Sequence, residues 1–139
     1  MKQYSDLSAF PFKAKLSTRW KDLDAFGHIN NAVYLSYIEN ARVQLFNLWN
    51  ITFSGKSIMV VSAQIDYVAQ LFHPESLDIG QKVTRVGTKS FDITSGLYKE
   101  DGTLACHAIV TCVCFDFNKN KSVPVYPKII ETFHANNKE

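Results

Sequence analysis

A chain of 139 residues, 46% of them hydrophobic and 20% charged, is long enough to bury one core and too short for two ordinary domains, so residues 1–139 read as one globular domain. The net charge of +2, with Lys and Arg scattered along the chain, is too small to imply a polyanionic partner, so no nucleic acid is expected. No apolar run approaches the ~20 residues of a membrane span and the first residues show no signal-peptide run, so the expected location is the cytoplasm.

After a short polar arm, Phe12 to Trp20 alternates. Phe12, Ala14, Leu16, Thr18 and Trp20 share one face, and Lys13, Lys15, Ser17 and Arg19 the other, which predicts a half-buried strand. Asp22 to Asn31 then concentrates two carboxylates, a glycine, a histidine and two asparagines in ten positions. From Asn31 to Trp49 the period becomes helical, with Tyr34, Tyr37, Ile38, Ala41, Leu45, Leu48 and Trp49 forming an apolar stripe. That helix spans about 28 Å at 1.5 Å per residue, and Asn30 suits its N-cap.

Ile58 to Leu71 alternates again, placing Met59, Val61, Ala63, Ile65, Tyr67, Ala69 and Leu71 on one face before the turn chemistry of His73-Pro74-Glu75-Ser76. Strands are expected at Leu77–Val86, Phe91–Lys99 and Thr103–Phe117, with a hairpin at Glu100-Asp101-Gly102. Both faces of the last run are apolar, as in a central strand covered on both sides, and a second subunit could supply one cover. Pro127 to Ala135 reads as a terminal helix. Short connections make the sheet largely antiparallel, and only the long helix can fill its concave face. The fold class is therefore α+β, with five to six strands around one dominant helix.

Cys106, Cys112 and Cys114 share strand parity and should lie together as buried thiols; His107 has the opposite parity and no matching Cys pair exists, so we expect no metal site. The Asp-x-Asp-x-x-Gly spacing starts like an EF-hand, but Phe26 and Val33 occupy positions five and twelve, where calcium needs oxygen ligands. No phosphate-binding glycine loop or serine nucleophile elbow is present.

A carboxylate placed just before a helix start combines a base or nucleophile with unpaired first-turn amides and the positive helix end, the two things that ester-type hydrolysis requires. Asp22 and Asp24 both stand there, Asp22 better suited to bracing the turn. Gly27 permits a tight path at positive φ. His28 could orient Asp24 or substrate, or equally serve as a structural hydrogen-bonded residue. Tyr34 and Tyr37 read as core, and Glu39 with Arg42 as an ion pair on the helix surface or at an interface.

The pattern Asp22-x-Asp24-x-x-Gly27-His28-x-Asn30-Asn31-x-x-Tyr34-x-x-Tyr37-x-Glu39-x-Ala41-Arg42 resembles the signature of hotdog-fold acyl-CoA thioesterases of the 4-hydroxybenzoyl-CoA thioesterase type. The resemblance implies a hotdog fold, a homodimer or homotetramer with active sites at the dimer interface, and no metal or organic cofactor. It maps the catalytic carboxylate, as general base or nucleophile, onto Asp24 and the oxyanion donor onto the amide of Asn31. Phe26, Gly27, His28 and Asn30 then stand as substrate-binding candidates beside them. Lys89-Ser90-Phe91 resembles a segment near bound CoA, where Lys89 could meet a phosphate. Phe26, Val60, Val61 and Phe91 are candidates for an apolar acyl pocket. The expected substrate is an acyl-CoA or an acyl carrier protein thioester; the alternative is a noncatalytic acyl-CoA-binding sensor or scaffold.

Overall fold

The computed structural model describes residues 3–51 and 55–138; the first two residues of the polar arm lie outside that range. In chain order the elements are β1 (Phe12–Ser17), α1 (Asn31–Leu48), β2 (Lys56–Tyr67), β3 (Ser76–Val86), β4 (Ser90–Lys99), β5 (Leu104–Asp116), β6 (Lys121–Ser122) and α2 (Pro127–Asn136). The strands form one sheet in the order β1-β3-β4-β5-β2, with β6 paired to β5. Every pairing is antiparallel. The meander β3-β4-β5 follows from the short turns, and β1 and β2 become the two edges.

The sheet curls around α1, the hotdog arrangement. Tyr34, Tyr37, Ile38, Ala41 and Leu45 are buried against its concave face. Side chains directly opposite in an antiparallel pair share a face, so the rows Phe91–Cys112–Val60 and Leu97–Cys106–Tyr67 both cross that face. The core has two parts. Ile38, Leu77, Ile79, Leu97 and Ala105 pack around the first half of α1, while Leu45, Trp49, Val83, Phe91, Val110 and Ile129 pack around its end and α2. Between them, on β3 and β4, sit buried Gln81 and Ser95. Gln81 Nε2 donates to the Ile38 carbonyl at 3.2 Å and to Ser95 Oγ at 3.1 Å, which fixes the helix along the sheet. All three cysteines are free and buried on the concave face, as their parity implies.

Several expectations need correction. β1 stops at Ser17, and Trp20 opens a 3₁₀ turn with 76% of its surface exposed, because past the Thr18–Glu75 bond the chain coils to bring Arg19 to Asp22. The strand expected to reach Leu71 ends at Tyr67 and carries a bulge between Val60 and Ser62. One inserted residue reverses the parity, so Met59 lies on the convex face while Ala63, Ile65 and Tyr67 lie on the concave one. Arg42 is buried rather than on the helix surface, 3.6 Å from exposed Glu39. The two-residue β6 carries too short a pattern to be read from sequence. On the convex face, β5 is only half-buried; the N-terminal arm reaches it through the Tyr4 ring, 4.8 Å from the His107 ring. The arm also lays Phe10 over Gly80, where a Cβ would come within 2.6 Å of the Phe10 ring.

Candidate active site

The polar stretch folds into a brace followed by a small closed loop. The 3₁₀ turn Trp20–Asp22 aligns residues three apart, and Arg19 grips both oxygens of Asp22, Nε to Oδ2 at 2.8 Å and Nη2 to Oδ1 at 3.1 Å. The Tyr37 hydroxyl donates to Asp22 Oδ2 at 2.8 Å, and the Asn30 amide donates to the Asp22 carbonyl at 2.9 Å. Asp22 is buried, so it is a structural brace with every partner charged or polar. The Arg19 guanidinium holds its carboxyl below the usual carboxylate range; burial opposes this, and the Tyr37 hydroxyl adds to it.

A bridge between Leu23 and Ile29 closes the loop that carries Asp24. Inside it, the Asp24 amide donates to the His28 carbonyl at 2.8 Å and the Gly27 amide to the Asp24 carbonyl at 3.2 Å. Gly27 sits at φ +82° with nothing within 4 Å of where a Cβ would stand, so its requirement is conformational rather than steric. The Asp24 side chain is fixed by one oxygen only. Oδ1 accepts from the amides of Phe26 at 2.8 Å and His28 at 3.2 Å, and among the described residues Oδ2 has no hydrogen-bond partner.

The start of α1 lies beside this carboxylate. Asn30 is the N-cap, its Oδ1 accepting from the Ala32 amide at 3.0 Å, and its carbonyl accepts from the Val33 amide at 2.9 Å. Those bonds consume two of the first-turn donors and leave the Asn31 amide without a partner among the described residues. The first turn contains no acidic side chain, so the positive end of the helix dipole is uncompensated there. The Asn31 carbonyl accepts from the Tyr67 hydroxyl at 3.0 Å, which ties the helix start to the end of β2.

A groove of about 450 Å³ is lined by Asp24, Phe26, His28, Asn30, Asn31 and Gln70. Phe26 projects at its rim, 84% exposed. The His28 ring packs edge-to-face on Phe72 with ring centres 5.0 Å apart, so His28 reaches Asp24 through its main chain while its side chain forms a wall. Gln70 escaped the sequence reading because the strand was expected to run through it to Leu71. Its signal was local: a polar residue between an alternating run and a Pro-containing turn.

The remaining candidates lie elsewhere in the chain. Val60 pairs with Cys112 and stands well before Tyr67 on β2, roughly 20 Å along the strand from the groove. Val61 occupies the bulge and is 58% exposed. Lys89 is exposed in the β3–β4 turn, its carbonyl accepting from the Cys114 amide, and Ser90 Oγ accepts from Arg85 Nη2 at 2.9 Å. Phe91 is wholly buried against Trp49, ring centres 5.9 Å apart, and presents no surface to a ligand. One chain therefore brings together Asp24, Phe26, Gly27, His28, Asn30 and Asn31, and leaves Val60, Val61, Lys89, Ser90 and Phe91 toward the far end of β2.

Residues 18–133 match the profile of the thioesterase-like superfamily. The chain is 26% identical over 129 residues to the long-chain acyl-CoA thioesterase FadM of Escherichia coli, covering 86% of this chain and 94% of that protein. It is 35% identical over 88 residues to YsmA of Bacillus subtilis, a match that spans 62% of this chain and 60% of that one. Among solved structures, a thioesterase complexed with coenzyme A and Zn from Thermus thermophilus superimposes with a TM-score of 0.78 at 26% identity, covering 92% of this chain and 95% of that one. The PA2801 protein of Pseudomonas aeruginosa superimposes with a TM-score of 0.81 at 25% identity, covering 88% and 97%.

Proposed function

Because the chain belongs to the thioesterase-like superfamily, we propose that it hydrolyses an acyl-CoA thioester, with Asp24 as general base or nucleophile and the Asn31 amide as oxyanion donor. One observation carries this reading: Asp24, with Oδ2 unpartnered among the described residues, and the equally unpartnered Asn31 amide line the same groove at the positive end of α1. In the base form, Asp24 takes a proton as water oxygen bonds to the thioester carbon. The oxyanion that develops is met by the Asn31 amide. Collapse breaks the C–S bond, the thiolate takes the proton, and the products are a carboxylic acid and CoA thiol. In the nucleophile form, an Asp24 carboxylate oxygen bonds to the carbonyl carbon, the C–S bond breaks and CoA leaves as thiolate; water then cleaves the mixed anhydride, giving the carboxylic acid, restoring the Asp24 carboxylate and releasing the proton that the thiolate takes.

The substrate class is supported by the bound coenzyme A of the Thermus relative and by the acyl-CoA substrate in the name of the Escherichia one. The far group of candidates is accounted for by a homodimer formed along β2. This twelve-residue edge is exposed along most of its length, including the apolar side chains of Met59, Val60 and Val61. An open edge of that length invites a second strand. Two-fold antiparallel pairing sets the Val60 end of one β2 beside the Tyr67 end of the other, so each groove acquires Val60, Val61, Lys89 and Ser90 from its neighbour.

The test is release of free thiol from short, long and aromatic acyl-CoAs, and from an acyl carrier protein thioester, by wild type and Asp24→Asn side by side. Circular dichroism and gel filtration check fold and assembly. Turnover by wild type, with a loss of at least about a hundredfold in the variant, is the expected result. Equal turnover would remove the mechanism, and binding of acyl-CoA without turnover by either protein would favour a sensor.

A further inference from the structure

The first turn of α1 offers a single free amide to the groove, since the Ala32 and Val33 donors are consumed by Asn30. A thioester oxyanion in a groove open to solvent gains most from more than one fixed donor. We infer that the Gln70 carboxamide is the second: its Nε2 donates to the same developing oxyanion that the Asn31 amide meets. This rests on the hydrolase reading above and adds to it a catalytic residue.

Three features carry the inference. Gln70 lines the groove with Asp24 and Asn31 and is exposed there, with no hydrogen-bond partner among the described residues. Its carboxamide is a neutral donor, so it can serve an oxyanion without drawing the Asp24 carboxylate into an ion pair, as a Lys or Arg in that place would. Its position is also imposed from outside the groove. The buried Tyr34 hydroxyl accepts from the Leu71 amide at 2.9 Å and donates to the Ala69 carbonyl at 3.2 Å, clamping the backbone on either side of Gln70. The Ala69 amide donates to the Ala105 carbonyl at 3.1 Å and the Ile29 amide to the Leu71 carbonyl at 2.7 Å.

Tyr34 stands one helical turn after Asn31. The same turn of α1 therefore presents one donor and clamps the segment that carries the other. The backbone positions that carry the two donors are set before substrate arrives, so that only the Gln70 side-chain torsions remain to be ordered on binding. Tyr34 acts only through Gln70 and is a positioning residue.

The experiment uses the full chain and the acyl-CoA turned over best by wild type, with Asp24→Asn, Gln70→Ala, Gln70→Glu and Tyr34→Phe in parallel. Gln70→Ala is expected to lower kcat about a hundredfold or more with KM changed less than about threefold, the signature of a contact made only in the transition state. Gln70→Glu keeps the volume and loses the donor, and should be at least as slow. Tyr34→Phe should lower kcat by a smaller factor with KM little changed, and it should also lower the melting temperature, because the Leu71 amide and the Ala69 carbonyl lose their buried partner. If Asp24→Asn is inactive while Gln70→Ala keeps wild-type kcat, or loses only in KM, Gln70 is not an oxyanion donor and the hydrolase reading stands. If Asp24→Asn is fully active, the site itself is misread and both fall.

Discussion

The Tyr37 hydroxyl donates to Asp22 Oδ2 at 2.8 Å, so a residue in the middle of α1 holds the segment two residues ahead of Asp24. The bond is buried, and it joins the two parts of the groove that come from different elements: the loop that carries the carboxylate and the helix that carries the amide. Burial, reinforced by Asp22, pushes the Tyr37 phenol up to about 12, so it stays a donor across the neutral range.

Tyr37→Phe removes this donor without opening a cavity. Hydrogen bonds to charged groups contribute roughly 1.5–3 kcal/mol, and a loss of that size should appear as a lower urea midpoint at unchanged slope. Asp22 also sets an acid limit. Its carboxyl is held below the ordinary value of 3.8, first by Arg19, so the stability it contributes is complete above that value and disappears as the pH falls through the lower folded one. Wild type should therefore melt above Asp22→Asn at pH 7, and the gap should close below about pH 3.8. A gap that stays constant through the acid range would refute the brace.

Stability should fall at alkaline pH for the opposite reason. Burial pushes the Cys106 and Cys112 thiols up to about 12 from an ordinary 9.0. Such groups stabilise the fold fully below pH 9.0, and that contribution is lost as the pH rises toward the folded value, because only the unfolded chain ionises freely in between. Melting temperature measured from pH 8 to 11 should decline above about pH 9. The same burial means that a thiol reagent at pH 8 labels none of the three cysteines before denaturation.

Gln81 and Ser95 are predicted to be energetically coupled. Gln81 Oε1 has no partner among the described residues while Nε2 serves two acceptors, so replacing Gln81 by Leu takes the Gln81 bond from Ser95 Oγ and the second, non-helical bond from the Ile38 carbonyl. In a double-mutant cycle, Gln81→Leu with Ser95→Ala should destabilise less than the sum of the two, by about 0.5–3 kcal/mol. Strict additivity would mean that the pair does not register α1 on the sheet.

The β2 edge supplies a prediction about assembly. Met59→Lys with Val61→Lys places charge on the apolar outer end of the strand, a device that blocks strand addition. Sedimentation should show the variant shifted to monomer, with turnover lost in parallel because Val60 and Lys89 of a neighbour no longer complete the groove. A monomeric wild type with full activity would dismiss the dimer.

Much of this was legible in the chain itself. The helix from Asn31, its Asn30 cap, the antiparallel meander and the Glu100–Gly102 hairpin follow from local periodicity and turn chemistry, which act over a few residues and leave a mark in sequence. The motif density around Asp24 likewise pointed to one loop. What only the tertiary structure decided depends on partners far apart in the chain. The bulge at Val61 reversed the facing of β2 because register answers to β5 rather than to the strand's own alternation. Phe91 went to the core because Trp49 arrived there from the helix end. Gln70 joined Asp24 because Tyr34, far upstream in the chain, clamps its backbone, and no pattern within the strand records a hydrogen bond supplied from a helix.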